Sequence, residues 1–166
     1  VAASKPVLEA ASGLVRLIST GVSQVFRLPI SIVHFFILLS VVPLLGSLIT
    51  EPAAMTLAAL LLGQQLFAQT TDMKFKYATL GVLFVNVSVG GALTSFAAPP
   101  ILMVANAWGW DTADVFGLFG MKALAVVLIN ALLLTIWAYK KIPPIQSVQQ
   151  ERMPVTVQAV HFAFLA

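Results

Sequence analysis

The sequence has 166 residues, of which 60% are hydrophobic and only 9% are Asp, Glu, Lys or Arg, and its formal net charge is +3. Soluble globular domains carry roughly 25% charged residues, so these side chains are too few to cover the exterior of a compact soluble fold. The outer surface must face lipid, and the composition predicts an all-α integral membrane protein. It excludes secreted disulfide scaffolds, nucleic-acid binders and disordered tails. The absence of cysteine excludes disulfides and thiolate metal sites.

The basic residues form three clusters that indicate membrane orientation. They are Lys5, Arg16 and Arg27, then Lys74 and Lys76, then Lys140, Lys141 and Arg152. If the segment between the first two clusters enters and leaves the membrane on one side, all three clusters lie in the cytoplasm, as the positive-inside rule requires. Two full spans in that segment would give the same result, so charge alone leaves both interpretations open.

The first element is a segment at residues 7–20 with apolar side chains at helical spacing and polar side chains opposite them. This pattern predicts an amphipathic helix that is too short and too polar to span a membrane. It would either lie in the interface plane or serve as a connector, and the sequence favours neither role.

Two apolar runs follow, from Ile30 to Ile49 and from Ala53 to Ala68, separated only by Thr50-Glu51-Pro52. A loop outside the membrane would normally carry Lys, Arg, Trp or Tyr anchors, and this junction has none. We therefore predict a re-entrant helical hairpin over residues 30–68, with its tip inside the membrane.

The next apolar segment, residues 77–107, is interrupted by Gly90-Gly91 and by Pro99-Pro100. In a helix interior Gly costs about 1 kcal/mol and Pro about 3 kcal/mol relative to Ala, whereas Pro is favourable in a first turn. The pattern predicts a broken transmembrane helix, with helical geometry lost between about Gly90 and Ala98 and regained from Pro99.

The last long run predicts a full span over residues 115–139, after a loop at the outer interface that contains Trp108 and Trp110. Residues 142–154 are expected to be a linker, and residues 155–166 the start of a further transmembrane helix that the sequence cuts short. We expect residues 1–141 to form one unit of a longer, multi-pass membrane protein.

Oxygen-bearing residues lie at the hairpin tip and at the helix break. Unwound backbone within a membrane persists only where it is buried in protein or lines a cavity, and transporters use it to coordinate ions. Hard oxygen ligands suit Na⁺ or H⁺ rather than soft metals. The candidate ion-binding residues are Ser47, Thr50 and Glu51 at the tip, and Asn86, Gly90, Gly91, Thr94 and Ser95 at the break.

Glu51 is the most informative candidate, because a carboxylate inside a membrane is costly and is a functional hypothesis by default. A carboxylate that binds either a proton or a cation can exchange one for the other. The alternative is that Glu51 only begins the helix before Pro52, where the helix dipole favours negative charge.

Other ionisable groups in the apolar runs carry less information. His34 is expected to be a buried structural residue, Lys122 to reach the interface or to pair with Asp111 or Asp114, and the role of His161 is open. Zinc-spaced histidines, a Gly-x-Ser-x-Gly elbow and a phosphate-binding glycine loop are all missing from the sequence. We therefore expect neither an enzyme nor a cofactor.

Three motifs resemble a known family. They are residues 43–56, residues 86–100 and Trp108-Gly109-Trp110-Asp111, with residues 1–11 also similar. These stretches resemble the putative Na⁺/H⁺ antiporter family, which is similar to the arsenite, citrate and Na⁺/H⁺ antiporters of the ion transporter superfamily. The resemblance covers residues 1 to about 141.

The resemblance implies one repeat of an inverted-repeat transporter, in which each repeat contributes a re-entrant hairpin and a broken helix to a midplane site. It implies Na⁺/H⁺ antiport by alternating access in the cell membrane, in bacteria the inner membrane. The implied partners are Na⁺ or another small cation, H⁺, lipid, the second repeat of the same protein and, as one option, a second copy in a homodimer.

Two alternatives stay open at this point. One is an anion or carboxylate transporter of the same architecture, because positive half-helix ends can bind an anion. The other is a small structural subunit of a membrane complex. A structural subunit would have intact helices, and residues 90–100 would then form a loop at the membrane surface.

Overall fold

The computed structural model describes the backbone of residues 5–144 and the side chains of residues 11–144. All regular structure in this range is helical, which confirms the predicted all-α class. The helices are α1 (Lys5–Phe26), α2 (Ile30–Leu45), α3 (Glu51–Gln65), α4 (Met73–Gly90), α5 (Pro99–Trp108), α6 (Thr112–Val115) and α7 (Met121–Ala138). Most of the predicted linker at residues 142–154, the run at residues 155–166 and His161 within it lie outside the described residues.

Within residues 5–144, two helical stretches are long and apolar enough to cross a membrane, Met73–Leu93 and Thr112–Ala138. The helices α2 and α3 are shorter, with 16 and 15 residues. At 1.5 Å per residue they are about 24 Å and about 22 Å long, less than the about 30 Å of a hydrocarbon core.

The amphipathic helix α1 has 22 residues and extends beyond the predicted residues 7–20 at both ends. It stops where Arg27 adopts a left-handed backbone conformation with φ 53°. Val15 and Ser19 are buried on the side that packs against α2, whereas Leu17 and Val25 are exposed. One face of α1 thus belongs to the helical core.

The central helix is α2, which contacts α1, α3, α4 and α7. Its side chains Phe35, Leu38 and Leu39 are fully buried. Phe35 stacks on Phe75 of α4, with ring centroids 5.5 Å apart. This packing holds the α2–α3 hairpin against α4 and places the turn between α2 and α3 beside the end of α4.

The break in the fourth helix has the predicted form. The α-helix ends at Gly90, Gly91–Leu93 form a single 3₁₀ turn, and α5 begins at Pro99 with Pro100 also in its first turn. Regular α-helix is thus absent from Gly91 to Ala98, as the glycine and proline positions indicate.

The last span begins with α6, continues through one π-helical turn at Phe116–Gly120 and ends with α7. Asp111 and Asp114 form a reciprocal capping box at its start, each carboxylate accepting a hydrogen bond from the other residue's backbone N–H. Both carboxylates serve the helix start, and neither forms an ion pair with Lys122. That alternative expectation for Lys122 is wrong: in the described part of the chain the salt bridge joins Lys141 to Asp72, at 3.0 Å.

Candidate functional site

The hairpin tip is the segment at residues 46–50 between α2 and α3. Ser47 is buried within it, while Thr50 is exposed. Thr50 is the N-cap of α3 and has an extended backbone, so Glu51 is the first residue of the helix and Pro52 lies in its first turn. The tip therefore directs Ser47 toward the protein and sets Glu51 at the start of α3.

Three hydrogen bonds join the tip to the broken helix. The Ser47 hydroxyl donates to the carbonyl of Gly90, the last residue of α4. The Thr94 hydroxyl donates to the Ser47 carbonyl at 2.9 Å. The backbone N–H of Glu51 donates to the carbonyl of Ala97 at 3.4 Å. The two predicted halves of the site are thus bonded to each other.

The glycines at the break are required for space. A Cβ at Gly90 would lie 2.7 Å from the carbonyl oxygen of Pro43, and a Cβ at Gly91 would lie 3.0 Å from the Cβ of Ala98. Both glycines have φ values of an ordinary right-handed helix, −61° and −62°. Close packing, against the Pro43 backbone at Gly90 and against the Ala98 side chain at Gly91, rather than a special conformation, explains why glycine occupies these two positions.

The Glu51 side chain is half-buried between α3 and α4. Its Oε1 accepts a hydrogen bond of 2.6 Å from the hydroxyl of Ser88, in the last turns of α4. A cavity of about 320 Å³ lies beside the carboxylate. The residues that line this cavity are Glu51, Pro52, Met55, Phe84, Val87 and Pro99.

Ser88 is not among the candidate ligands predicted from the sequence. The signal available in the sequence was a hydroxyl two residues before the Gly90 break, within the motif at residues 86–100. That signal is weak, because serine in a helix more often bonds to the backbone of its own helix.

Asn86 is fully buried one turn before the break, and its partners are on other helices. Its Nδ2 donates to the carbonyls of Leu39, at 2.8 Å, and Val127, at 3.2 Å. Its Oδ1 accepts from Nδ2 of Asn130 at 3.1 Å. Pro43 has no N–H to donate to the carbonyl four residues earlier, which is that of Leu39. Asn86 replaces this missing bond and joins α2, α4 and α7.

Thr50 and Ser95 lie outside this set of contacts. The Thr50 side chain makes no capping hydrogen bond to α3. The hydroxyl of Ser95 lies 3.0 Å from that of Thr112 at the start of α6. The structure therefore brings Ser47, Glu51 and the break together and leaves Thr50 and Ser95 at the edge.

His34 lies near the far end of the hairpin, away from the tip. It is buried, with Nδ1 3.2 Å from the Ser19 hydroxyl and Nε2 2.5 Å from Oε1 of Gln65. These contacts connect α1, α2 and α3 and agree with the expected structural role. Among the described side chains, those of residues 11–144, no group of three or more His, Cys, Asp or Glu is arranged to hold a metal ion.

Outside the membrane-spanning segments, the main electrostatic interactions are those of the carboxylate of Asp72, the N-cap of α4. The hydrogen bond from Lys141 and, to a lesser extent, that from the Phe75 backbone N–H hold the pKa of Asp72 below its ordinary value. The Lys141 ammonium also lies 4.4 Å from the ring centroid of Trp137. This group ties the start of α4 to the end of α7.

An apolar, all-helical chain whose described residues include two helices long enough to cross a membrane indicates a membrane protein, and a buried, interrupted helix is typical of transporters. The chain belongs to the family described as "Putative Na+/H+ antiporter", whose profile matches residues 1–166. Membership confirms the resemblance of the sequence motifs and implies a transporter rather than an enzyme. Comparisons with curated proteins and with solved structures give no match.

Proposed function

We propose that this chain forms one repeat of a secondary active Na⁺/H⁺ antiporter that works by alternating access, with Glu51 binding the cation and the proton in turn. The observation that carries the proposal is the position of Glu51. Its half-buried carboxylate lies where the hairpin tip meets the broken helix, beside a cavity of about 320 Å³.

The dimensions of the hairpin support re-entrance. At about 24 Å and about 22 Å, α2 and α3 are each shorter than the hydrocarbon core. The tip between them carries no Lys, Arg, Trp or Tyr. The hydrogen bonds to residues 90–97 give partners to the Ser47 hydroxyl and to the backbone N–H of Glu51, polar groups that are costly to leave unpaired at membrane depth.

Exchange follows from competition at one carboxylate. The ionised form of Glu51 attracts a cation, whereas the protonated form is neutral and has lost that attraction. Cation and proton therefore exclude each other at the same group. Suppose that the site can change the side to which it opens only when Glu51 carries a cation or a proton. Movement of a cation in one direction is then coupled to movement of a proton in the other.

The other candidate residues either hold the site together or lie at its edge, which we call the rim. Gly90 and Gly91 allow close packing where the hairpin tip meets the broken helix, a contact we call the joint. The hydroxyls of Ser47 and Thr94 donate hydrogen bonds to backbone carbonyls there. Asn86 has its amide donors and its oxygen occupied by helix contacts, so we assign it to packing. Thr50 and Ser95 fit the rim, where a second repeat would contact them.

The alternatives are less well supported. A carboxylate at the joint would repel an anion, which disfavours an anion or carboxylate carrier. A structural subunit predicts a surface loop at residues 90–100, but Gly91, Thr94, Ala97 and Ala98 are buried. Their burial favours a site over a surface loop.

The test is Glu51→Gln in the intact protein reconstituted into vesicles. Gln keeps the shape but cannot exchange a proton, so proton-coupled Na⁺ flux should be lost while size-exclusion profile and helix content stay normal. Glu51→Asp should keep part of the flux, because the charge remains and only the reach is shortened. Thr56→Ala, which removes an exposed hydroxyl one turn further along α3, should leave flux unchanged. Normal exchange in a folded Glu51→Gln protein would refute the proposal.

A further inference from the structure

We propose that the hydroxyl oxygen of Ser88 is a second cation ligand that acts with Glu51 and sets which alkali cation the site prefers. This inference rests on the proposed function and assigns a specificity role to a residue on α4. It follows from the way Ser88 departs from six other hydroxyls in the described helices.

Six hydroxyls within the described helices donate their hydrogen to the carbonyl four residues earlier, the usual arrangement for Ser and Thr in a helix. The side chains that do so are Ser19, Thr20, Ser40, Thr56, Thr79 and Thr135. The Ser88 hydroxyl instead donates to a neighbouring helix, α3, where Oε1 of Glu51 accepts at 2.6 Å.

This donation orients the serine for a second task. A hydroxyl that donates its one hydrogen keeps two lone pairs on the oxygen, and here that oxygen lies next to a carboxylate oxygen. Hydroxyl and carboxylate oxygens are both hard ligands suited to small cations. After a small rotation about χ1 of Ser88, both oxygens can contact one cation.

Ion binding requires the hydroxyl hydrogen to leave the carboxylate, since it occupies the space between the two oxygens. The hydrogen can instead bond to the carbonyl of Phe84, four residues before Ser88. The six other hydroxyls each bond in this way to the carbonyl four residues before them. One hydrogen bond is lost and another formed, with no proton transferred. Ser88 thus holds the empty carboxylate in place and becomes a ligand when the cation arrives.

The surroundings explain why a second oxygen matters. Apart from Glu51, the cavity beside the carboxylate is lined by apolar side chains of Pro52, Met55, Phe84, Val87 and Pro99. A cation that loses water on entering would find few replacement oxygens on this wall. The number and spacing of the remaining oxygens then decide which ion size is accepted.

The experiment measures Na⁺ and Li⁺ dependence of proton-coupled flux for Ser88→Ala in the intact protein in vesicles. KM for Na⁺ should rise by on the order of tenfold, as expected for loss of one contact to a charged group. The ratio of Li⁺ to Na⁺ activity should change, while kcat stays near wild type. Ser88→Thr keeps the hydroxyl and should restore both. Thr79→Ala, which removes a buried hydroxyl bonded within the same helix, should leave both unchanged.

A purely structural link between α3 and α4 predicts another outcome, namely lower stability with unchanged KM and selectivity, and that result would overturn the inference. If Ser88→Ala does not fold, Ser88→Cys replaces the hydroxyl oxygen by a soft sulfur atom of similar size. A raised KM for Na⁺ and a changed ratio of Li⁺ to Na⁺ activity would then support the inference, and unchanged values would overturn it. Glu51→Gln measured in parallel separates the two hypotheses. An inactive Glu51→Gln with wild-type selectivity in Ser88→Ala refutes only the serine role, whereas an active Glu51→Gln refutes the proposed function itself.

Discussion

Gly90 of α4 lies directly against the carbonyl group of Pro43 in α2. A Cβ at Gly90 would be 2.7 Å from the Pro43 oxygen and 3.0 Å from its carbon, and both atoms are backbone, so they cannot rotate away. This contact brings the last turn of α4 onto the proline-containing turn of α2. The same approach lets the Ser47 hydroxyl reach the Gly90 carbonyl.

Substitution of Gly90 should therefore loosen the joint between hairpin and broken helix. We expect Gly90→Ala to lower the free energy of unfolding by about 1–3 kcal/mol, the usual cost of overpacking a close contact. Thermal unfolding in detergent measures the change.

Gly81 provides the matched control within the same helix. It is exposed, and a Cβ there would meet nothing within 4 Å. Gly81→Ala should be neutral or stabilise the protein by up to about 1 kcal/mol, because Ala is the better helix former. Equal effects of the two substitutions would show that the Pro43 contact does not constrain Gly90.

A second prediction concerns the bond from Asn86 to the carbonyl of Leu39. Asn86→Leu should destabilise the fold by about 1–3 kcal/mol, because it leaves that buried carbonyl without a donor. Adding Pro43→Ala supplies an N–H in α2 for the same carbonyl. The double variant should then be more stable than the sum of the two single effects predicts.

Unfolding free energies of the wild type, the two single variants and the double variant give the coupling directly. Asn130→Ala is the internal control, because it removes a partner of Asn86 without touching Leu39, and Pro43→Ala should not rescue it. Strict additivity between Asn86→Leu and Pro43→Ala would rule out the compensation.

The helix break could be predicted from the sequence because its signals are local. Pro99 fits only the beginning of a helix in this context, and α5 begins there. The bonds of Ser88 and Asn86 could not be predicted in this way, since their partners lie 37 and 47 residues away. Periodicity predicts which residues face a neighbouring helix but not the register between two helices. The hydrocarbon depth of the hairpin tip stays a prediction, because it depends on lipid as well as on the fold.

A third prediction follows from the lowered pKa of Asp72. The Lys141 bond is the main cause of the shift and the Phe75 backbone N–H the second. Because the pKa is lower in the folded state, the ionised carboxylate favours folding. Its contribution is fully present above the ordinary pKa of 3.8 and is lost as the pH falls through the lower pKa of the folded state.

Asp72→Asn separates the charge from the cap, since Asn also serves well as an N-cap. When the pH is lowered, the unfolding temperature of the variant should fall less than that of the wild type, because the variant has no carboxylate at residue 72 to protonate. The effect should be small and should shrink with added salt, because the pair is partly exposed to solvent. Lys141→Gln should reproduce most of it. An unchanged acid dependence in both variants would contradict this assignment.

The last prediction concerns the depth of Thr50 and decides between a re-entrant hairpin and two full spans. The sequence contains no cysteine, so single cysteines can be placed in the intact protein without background from this chain. In a re-entrant hairpin, Thr50→Cys should be protected from membrane-impermeant thiol reagents added outside, because the tip ends within the membrane and opens to the cytoplasm. Trp110→Cys, in the loop before α6, should react readily from outside. Two full spans would place residue 50 at the outer surface, since α2 and α3 would then meet there. Equal outside reactivity of the two cysteines would therefore contradict re-entrance, and with it the placing of Glu51 at a site inside the membrane.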